Sequence, residues 1–76
     1  MTAIEAAQED QKLSRREIEV LNALSKGLNN IEIGEQLSLS PKTIDSHRTN
    51  LLKKMHVNST AALLVKAIKS GILRHD

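Results

Sequence analysis

The sequence predicts a small all-α domain of four helices, and three observations carry that expectation. The 76 residues include only three Gly and one Pro, too little turn material for a sheet of many short strands. Apolar residues recur at three- and four-residue spacings, the period of one helix face. The same start signal also occurs three times: an apolar residue, a capping side chain, and a second apolar residue four positions after the cap.

Leu13-Ser14-Arg15-Arg16-Glu17-Ile18 is the first instance. Ser14 caps, Glu17 completes a capping box, and Leu13 is placed to staple onto Ile18. Val20, Leu21 and Leu24 supply a buried stripe, Lys26 suits the last turn, and Gly27 suits the left-handed position beyond it. The helix is expected over about 15–26. Leu28-Asn29-Asn30-Ile31-Glu32-Ile33 repeats the pattern with Asn29 as cap and Leu28 opposite Ile33, giving a short helix over 30–37 with Ile33 and Leu37 on its buried side. Leu39-Ser40-Pro41-Lys42-Thr43-Ile44 is the third. Ser40 caps, Leu39 staples onto Ile44, and Pro41 takes the first helical position, where a missing N–H costs nothing. This helix is expected over about 41–55, with Ile44, Leu51, Leu52 and Met55 on one face and Lys42, Asp45, Ser46, Thr49 and Lys53 on another. Ser59 caps a fourth, about 60–70, that Gly71 ends. Ala61, Leu64, Val65 and Ile68 are expected to face the core, with Leu63 and Ala67 forming an adjoining strip. Residues 1–12 are polar and uncapped, and read as a flexible arm or linker before one domain over 13–76.

Composition excludes several chemistries. With no Cys there is no disulfide, thiolate zinc site, iron–sulfur cluster or cysteine nucleophile. With no Phe, Trp or Tyr there is no aromatic platform for stacking single-stranded nucleic acid. His47, His56 and His75 lack a ligand spacing. Glu17 and Glu19, two apart, do not share a helix face, and His47 beside Ser46 has no third group to orient it. The chain is therefore expected to be no enzyme and to hold no metal, cofactor or small-molecule ligand. No apolar run approaches the ~20 residues of a membrane span and no signal-peptide core follows Met1, so a soluble, cytoplasmic protein is expected.

The net charge of +2 is unevenly distributed. Glu5, Glu9 and Asp10 make the first eleven residues acidic, whereas residues 39–76 carry seven Lys and Arg against Asp45 and Asp76. A basic second half suits a polyanion such as nucleic acid, although a Lys-rich solvated surface would look the same. The two central helices are separated only by Ser38 to Ser40, which makes them a helix-turn-helix. In such motifs the second helix enters the DNA major groove with its N-terminal half, here Lys42, Thr43, Asp45, Ser46 and Thr49. Lys42, Arg48, Lys53 and Lys54 are placed to neutralise phosphates. Periodicity alone fits any small helical bundle, and a polar outer face belongs to every surface helix.

Four separated segments go further. Leu13 to Leu21, Gly27 to Ile33, Leu37 to Arg48 and Leu52 to Met55 resemble, in order and spacing, the LuxR/FixJ-type DNA-binding domain of bacterial response regulators and quorum-sensing regulators. The resemblance covers about residues 13–73. It implies a transcription regulator that binds double-stranded DNA sequence-specifically with its third helix, as a weak homodimer on an inverted repeat. RNA polymerase is a further candidate partner. By position it assigns Asp45, Ser46 and Thr49 to base edges, and Asn30, Lys42, Thr43, Arg48 and Lys53 to the DNA backbone. It places dimerisation on the fourth helix, where Leu63, Ala67 and Ser70 are the candidates. Asp45 reads either as an acceptor for cytosine N4 or as a solvated acid that rejects wrong sequences. Ser46 and Thr49 read as base-facing residues or as ordinary helix surface. Ile31 stands where Lys is usual, Thr60 where Arg is common, and Gly34 where Ala is usual, at ~1 kcal/mol of helix propensity. The alternative is a helix-turn-helix turned into a protein-interaction module, an anti-activator or an adaptor contacting polymerase.

Overall fold

The computed structural model describes residues 12–73, so the arm expected over 1–12 lies, Lys12 aside, outside the described residues. Four helices follow one another: α1 (Arg15–Ser25), α2 (Asn30–Leu37), α3 (Pro41–Lys54) and α4 (Thr60–Lys69), with no strand among the described residues. None of these helices is long and apolar enough to cross a membrane.

Every helix starts as its capping chemistry dictates. The Glu17 N–H donates to Ser14 Oγ (3.1 Å) and the Ser14 N–H to Glu17 Oε1 (2.8 Å), closing the box at α1. Asn29 and Glu32 repeat it at α2, at 2.9 and 3.0 Å. Ser40 accepts from the Thr43 N–H and Ser59 from the Ala62 N–H. These bonds satisfy amide donors that the first helical turn leaves orphaned.

Three helix ends are Schellman turns. The Gly27 and Leu28 amides return to Leu24 and Ala23, those of His56 and Val57 to Lys53 and Leu52, and those of Gly71 and Ile72 to Ile68 and Ala67. Gly27 and Gly71 take the left-handed conformation there, at φ 81° and 79°, as their sequence positions predict. The other two left-handed residues are not glycine: Ser38 (φ 59°) ends α2 and His56 (φ 57°) follows α3.

The core is wholly aliphatic. Val20, Leu21, Ala23 and Leu24 of α1, Ile33 of α2, Ile44 and Leu51 of α3, Met55, Leu63 and Ala67 of α4, and Leu73 are buried together. Leu13, Leu28, Leu39 and Leu52 pack partly buried against them. Of the three staple partners, Ile33 and Ile44 are fully buried, but Ile18 stays 37% exposed.

The rotation of α4 corrects the sequence reading. Leu63 and Ala67 are fully buried, whereas Val65 is 52% and Ile68 38% exposed, Ala61 is exposed and Leu64 half-buried. Two polar tethers flank Leu63 on this buried side. Thr60 Oγ1 accepts from the Arg48 guanidinium (2.7 Å), and Lys66 Nζ donates to the Met55 carbonyl (2.6 Å). Both tethers reach α3 or its cap, consistent with the inward turn of the line between them, while Val65 and Ile68 stay exposed.

Gly34 explains itself in the same way. A Cβ there would lie 2.5 Å from the Leu39 carbonyl oxygen, because the turn between α2 and α3 folds directly over the helix. The small residue gives up helix propensity in exchange for a tight turn that lays α3 against α2.

Candidate nucleic-acid interface

α3 has a buried side and an open side. Ile44 and Leu51 anchor it in the core, and every residue on the opposite face (Lys42, Asp45, Ser46, Thr49, Asn50 and Lys53) is exposed. This arrangement follows from the 3.6-residue period: residues three, four, seven and eight positions apart stand over one another. Asn50 belongs to the face because it lies four residues after Ser46. The sequence reading missed it, although the same spacing would have found it.

The open face is chemically specific. Ser46 Oγ donates to the Lys42 carbonyl (3.2 Å) and Thr49 Oγ1 to the Asp45 carbonyl (3.0 Å), the back-bonding habit of helical hydroxyls. Both side chains therefore turn lone pairs outward. The Asp45 carboxylate makes no ion pair or hydrogen bond among the described residues. Thr43 is half-buried, with Oγ1 2.9 Å from Ser40 Oγ at the helix start.

Other expected site residues have internal work. Arg48 is half-buried; one terminal nitrogen donates to Asn30 Oδ1 (2.8 Å) and the other to Thr60 Oγ1 (2.7 Å). It thus ties α3 to α2 and α4 at once. Arg48 and Asn30, assigned to the DNA backbone, are engaged with each other, and among the described residues the Asn30 amide nitrogen and the remaining guanidinium hydrogens have no partner. Lys54 is also tethered: its Nζ donates to Glu17 Oε1 (2.7 Å) and to the Lys12 carbonyl (3.4 Å), so it is not one of the open-face cations. Burial pushes the Glu17 carboxyl up. Hydrogen bonds from Lys54 and Ser14, with the Lys54 charge, outweigh burial and hold it below its ordinary value. Lys42 and Lys53 are the exposed lysines at either end of the face. Leu63 and Ala67, assigned to a dimer contact, lie inside the monomer and are unavailable to a second copy, while Ser70 is exposed with its hydroxyl donating to the Lys66 carbonyl.

No group of His, Asp or Glu able to hold a metal ion occurs among the described residues. A short helix, a tight turn and a longer helix with one buried and one open polar side make a helix-turn-helix built to present α3.

The family described as "Bacterial regulatory proteins, luxR family" matches residues 11–67. The chain belongs to this family. The family is one of bacterial regulatory proteins. Among its relatives, the transcriptional regulatory protein DegU of Brevibacillus brevis is 46% identical over 59 residues, 78% of this chain and 25% of that protein. The oxygen regulatory protein NreC of Staphylococcus carnosus is 39% identical over 61 residues, 80% of this chain and 28% of that protein. An uncharacterized response regulatory protein of Escherichia coli, YgeK, is 40% identical over 63 residues, 83% of this chain and 43% of that protein. The chain therefore spans less than half the length of each of these relatives. No solved structure matches it.

Proposed function

We propose that this luxR-family chain binds double-stranded DNA with α3 in the major groove, and that two copies dock on an inverted repeat. The observation that carries this is the open face of α3, a continuous polar strip on a helix whose other side is locked into the core. Asp45, Ser46 and Thr49 occupy the N-terminal half that meets base edges, with Asn50 beside them. Lys42 and Lys53 bracket the strip and meet phosphates on either side of the groove. The Asn30 amide nitrogen and the orphan amides at the start of α2 add a neutral contact to the flanking backbone.

A dimer contact falls on the outward strip of α4. Ala61, Val65 and Ile68 share one side of the helix and are exposed, a small apolar surface suited to a weak homodimer that DNA reinforces. Two copies would place their α3 helices about one helical turn of DNA apart, ~34–36 Å.

Selection from a random duplex library at physiological salt tests the reading. An enriched inverted repeat supports both binding and paired docking, and Val65→Glu then reduces the product to single half-sites. A pool that stays random with folded protein overturns it. Direct phosphate contact by Lys42 predicts that Lys42→Ala weakens binding to all sequences and lowers the salt slope by ~1.

A second reading rests on Ile31, 60% exposed at the start of α2 where a phosphate-facing surface would be polar. A protein partner seated on Ile31 would give binding that hardly changes with salt, the opposite of the phosphate signature.

A further inference from the structure

We propose that Asp45 is a specificity-determining residue that selects cytosine at one position of each half-site. The inference rests on the reading of α3 as a groove-bound helix and goes on to name the base.

It starts from which atoms the centre of the open face presents. The hydroxyl protons of Ser46 and Thr49 are engaged by the carbonyls of Lys42 and Asp45. Their oxygens offer lone pairs, and the carboxylate of Asp45 can only accept. Asp45 has a cation three residues away on each side, Lys42 and Arg48, yet it forms no ion pair within the described residues. For Arg48 the reason is visible: Asn30 and Thr60 hold its guanidinium inward, at 2.8 and 2.7 Å. Thr60 thereby acts at a distance on the open face, because it helps to keep Arg48 away from the carboxylate. The centre of the face is an acceptor surface, and its donors, Lys42, Asn50 and Lys53, stand at its edges.

An acceptor surface complements few features of the major groove. Guanine presents O6 and N7 and thymine presents O4, all acceptors that repel a carboxylate. Adenine presents the N6 amino group, but its N7 acceptor lies beside it and opposes the second carboxylate oxygen. Cytosine presents the N4 amino group with no acceptor of its own next to it. A carboxylate held at the base edges, in a groove already lined by phosphate charge, is therefore tolerated where it meets cytosine N4 and expelled elsewhere. Asp45 serves selectivity more than affinity.

The test is library selection with the 76-residue chain and two variants, Asp45→Asn and Asp45→Ala. Asp45 is exposed, so both variants are expected to melt like the parent. The parent pool should carry cytosine at one position of each half-site, preferred over the other bases by about 5- to 150-fold. Asp45→Asn should move that position towards adenine, because an amide donates to N7 while accepting from N6. Asp45→Ala should lose the preference there and bind unrelated duplexes more tightly than the parent does. A parent pool enriched elsewhere but lacking the cytosine, or a cytosine that survives both substitutions, overturns the role of Asp45 and leaves the groove-bound α3 standing. A parent pool with no enrichment at all overturns both.

Discussion

α3 and α4 are both amphipathic, but they are held and exposed in opposite ways. α3 buries Ile44 and Leu51 and shows water a wholly polar face. α4 buries Leu63 and Ala67 and leaves Val65 and Ile68 in the open. Both inner sides obey the same rule of apolar residues at helical spacing. On α3 that rule has one solution, since the opposite side is charged. On α4 it has two, and the line that is buried is the one flanked by Thr60 and Lys66, which bond to Arg48 and to the Met55 carbonyl. Apolar spacing thus tells that a helix is amphipathic, and contacts with residues distant in sequence accompany the turn an ambiguous one takes.

The sharpest way to break this comparison is to truncate each strip of α4. Leu63→Ala removes a fully buried side chain and is expected to cost about 2–5 kcal/mol, a large part of the stability of a domain this small. Val65→Ala, at a half-exposed position on the other side of the helix, should stay within about 0.5 kcal/mol. Urea melts of the two variants read the rotation directly, and the reverse ranking would mean that α4 is turned the other way.

Next in size is the clasp between the two helices. Arg48→Ala leaves Asn30 and Thr60 without their charged donor and is expected to cost about 1–3 kcal/mol. Arg48→Lys should recover only part of it, because an ammonium lacks the planar fork that spans both acceptors. Combining Arg48→Ala with Thr60→Val tests whether the bond seen between them is energetic. Strictly additive losses in thermal melts would show that it is not.

At the C-terminal end of α3, Lys54 ties the helix to Glu17 of α1. The Glu17 carboxyl has its folded-state pKa lowered from the ordinary 4.5. The sign follows from the lowering: the folded state binds the proton less readily than the unfolded chain. The resulting stability is present above pH 4.5 and is lost as pH falls through the lowered value. Lys54→Met removes the group that does most to offset burial, so the acid side of the stability–pH curve should become shallower. At neutral pH the loss is about 1 kcal/mol or less, since the lysine is partly exposed. A curve with an unchanged acid limb would detach Lys54 from the titration of Glu17.

How much of this was legible follows from the range of each interaction. The helix starts were readable because Ser14, Asn29, Ser40 and Ser59 cap amides only a few residues away. The open face of α3 was readable for the same local reason, and Asn50 was missed only because its spacing was not followed one step further. The Arg48–Thr60, Lys54–Glu17 and Lys66–Met55 contacts join residues 12, 37 and 11 positions apart, and no periodicity announces them. These contacts engage Arg48, Lys54 and Lys66 within the domain, and the side of α4 that is buried, Leu63 and Ala67 rather than Val65 and Ile68, is what local spacing left open. The direction of the Ser46 and Thr49 hydroxyls was illegible too, since it depends on the helix already being formed.

The smallest expected effect concerns how the two helices end. Both finish in a Schellman turn, α4 through Gly71 at φ 79° and α3 through His56 at φ 57°. A side chain in the left-handed region costs roughly 1–2 kcal/mol, and glycine avoids that cost while giving the unfolded chain more freedom. The two terms oppose each other, so His56→Gly should gain no more than about 1 kcal/mol. Gly71→Ala, with open space around its Cβ position, should lose about as much through backbone strain alone. Opposite signs in paired thermal melts would show that α3 carries strain at its end that α4 does not. Two shifts of the same sign would place the difference between these helix ends elsewhere than in backbone conformation.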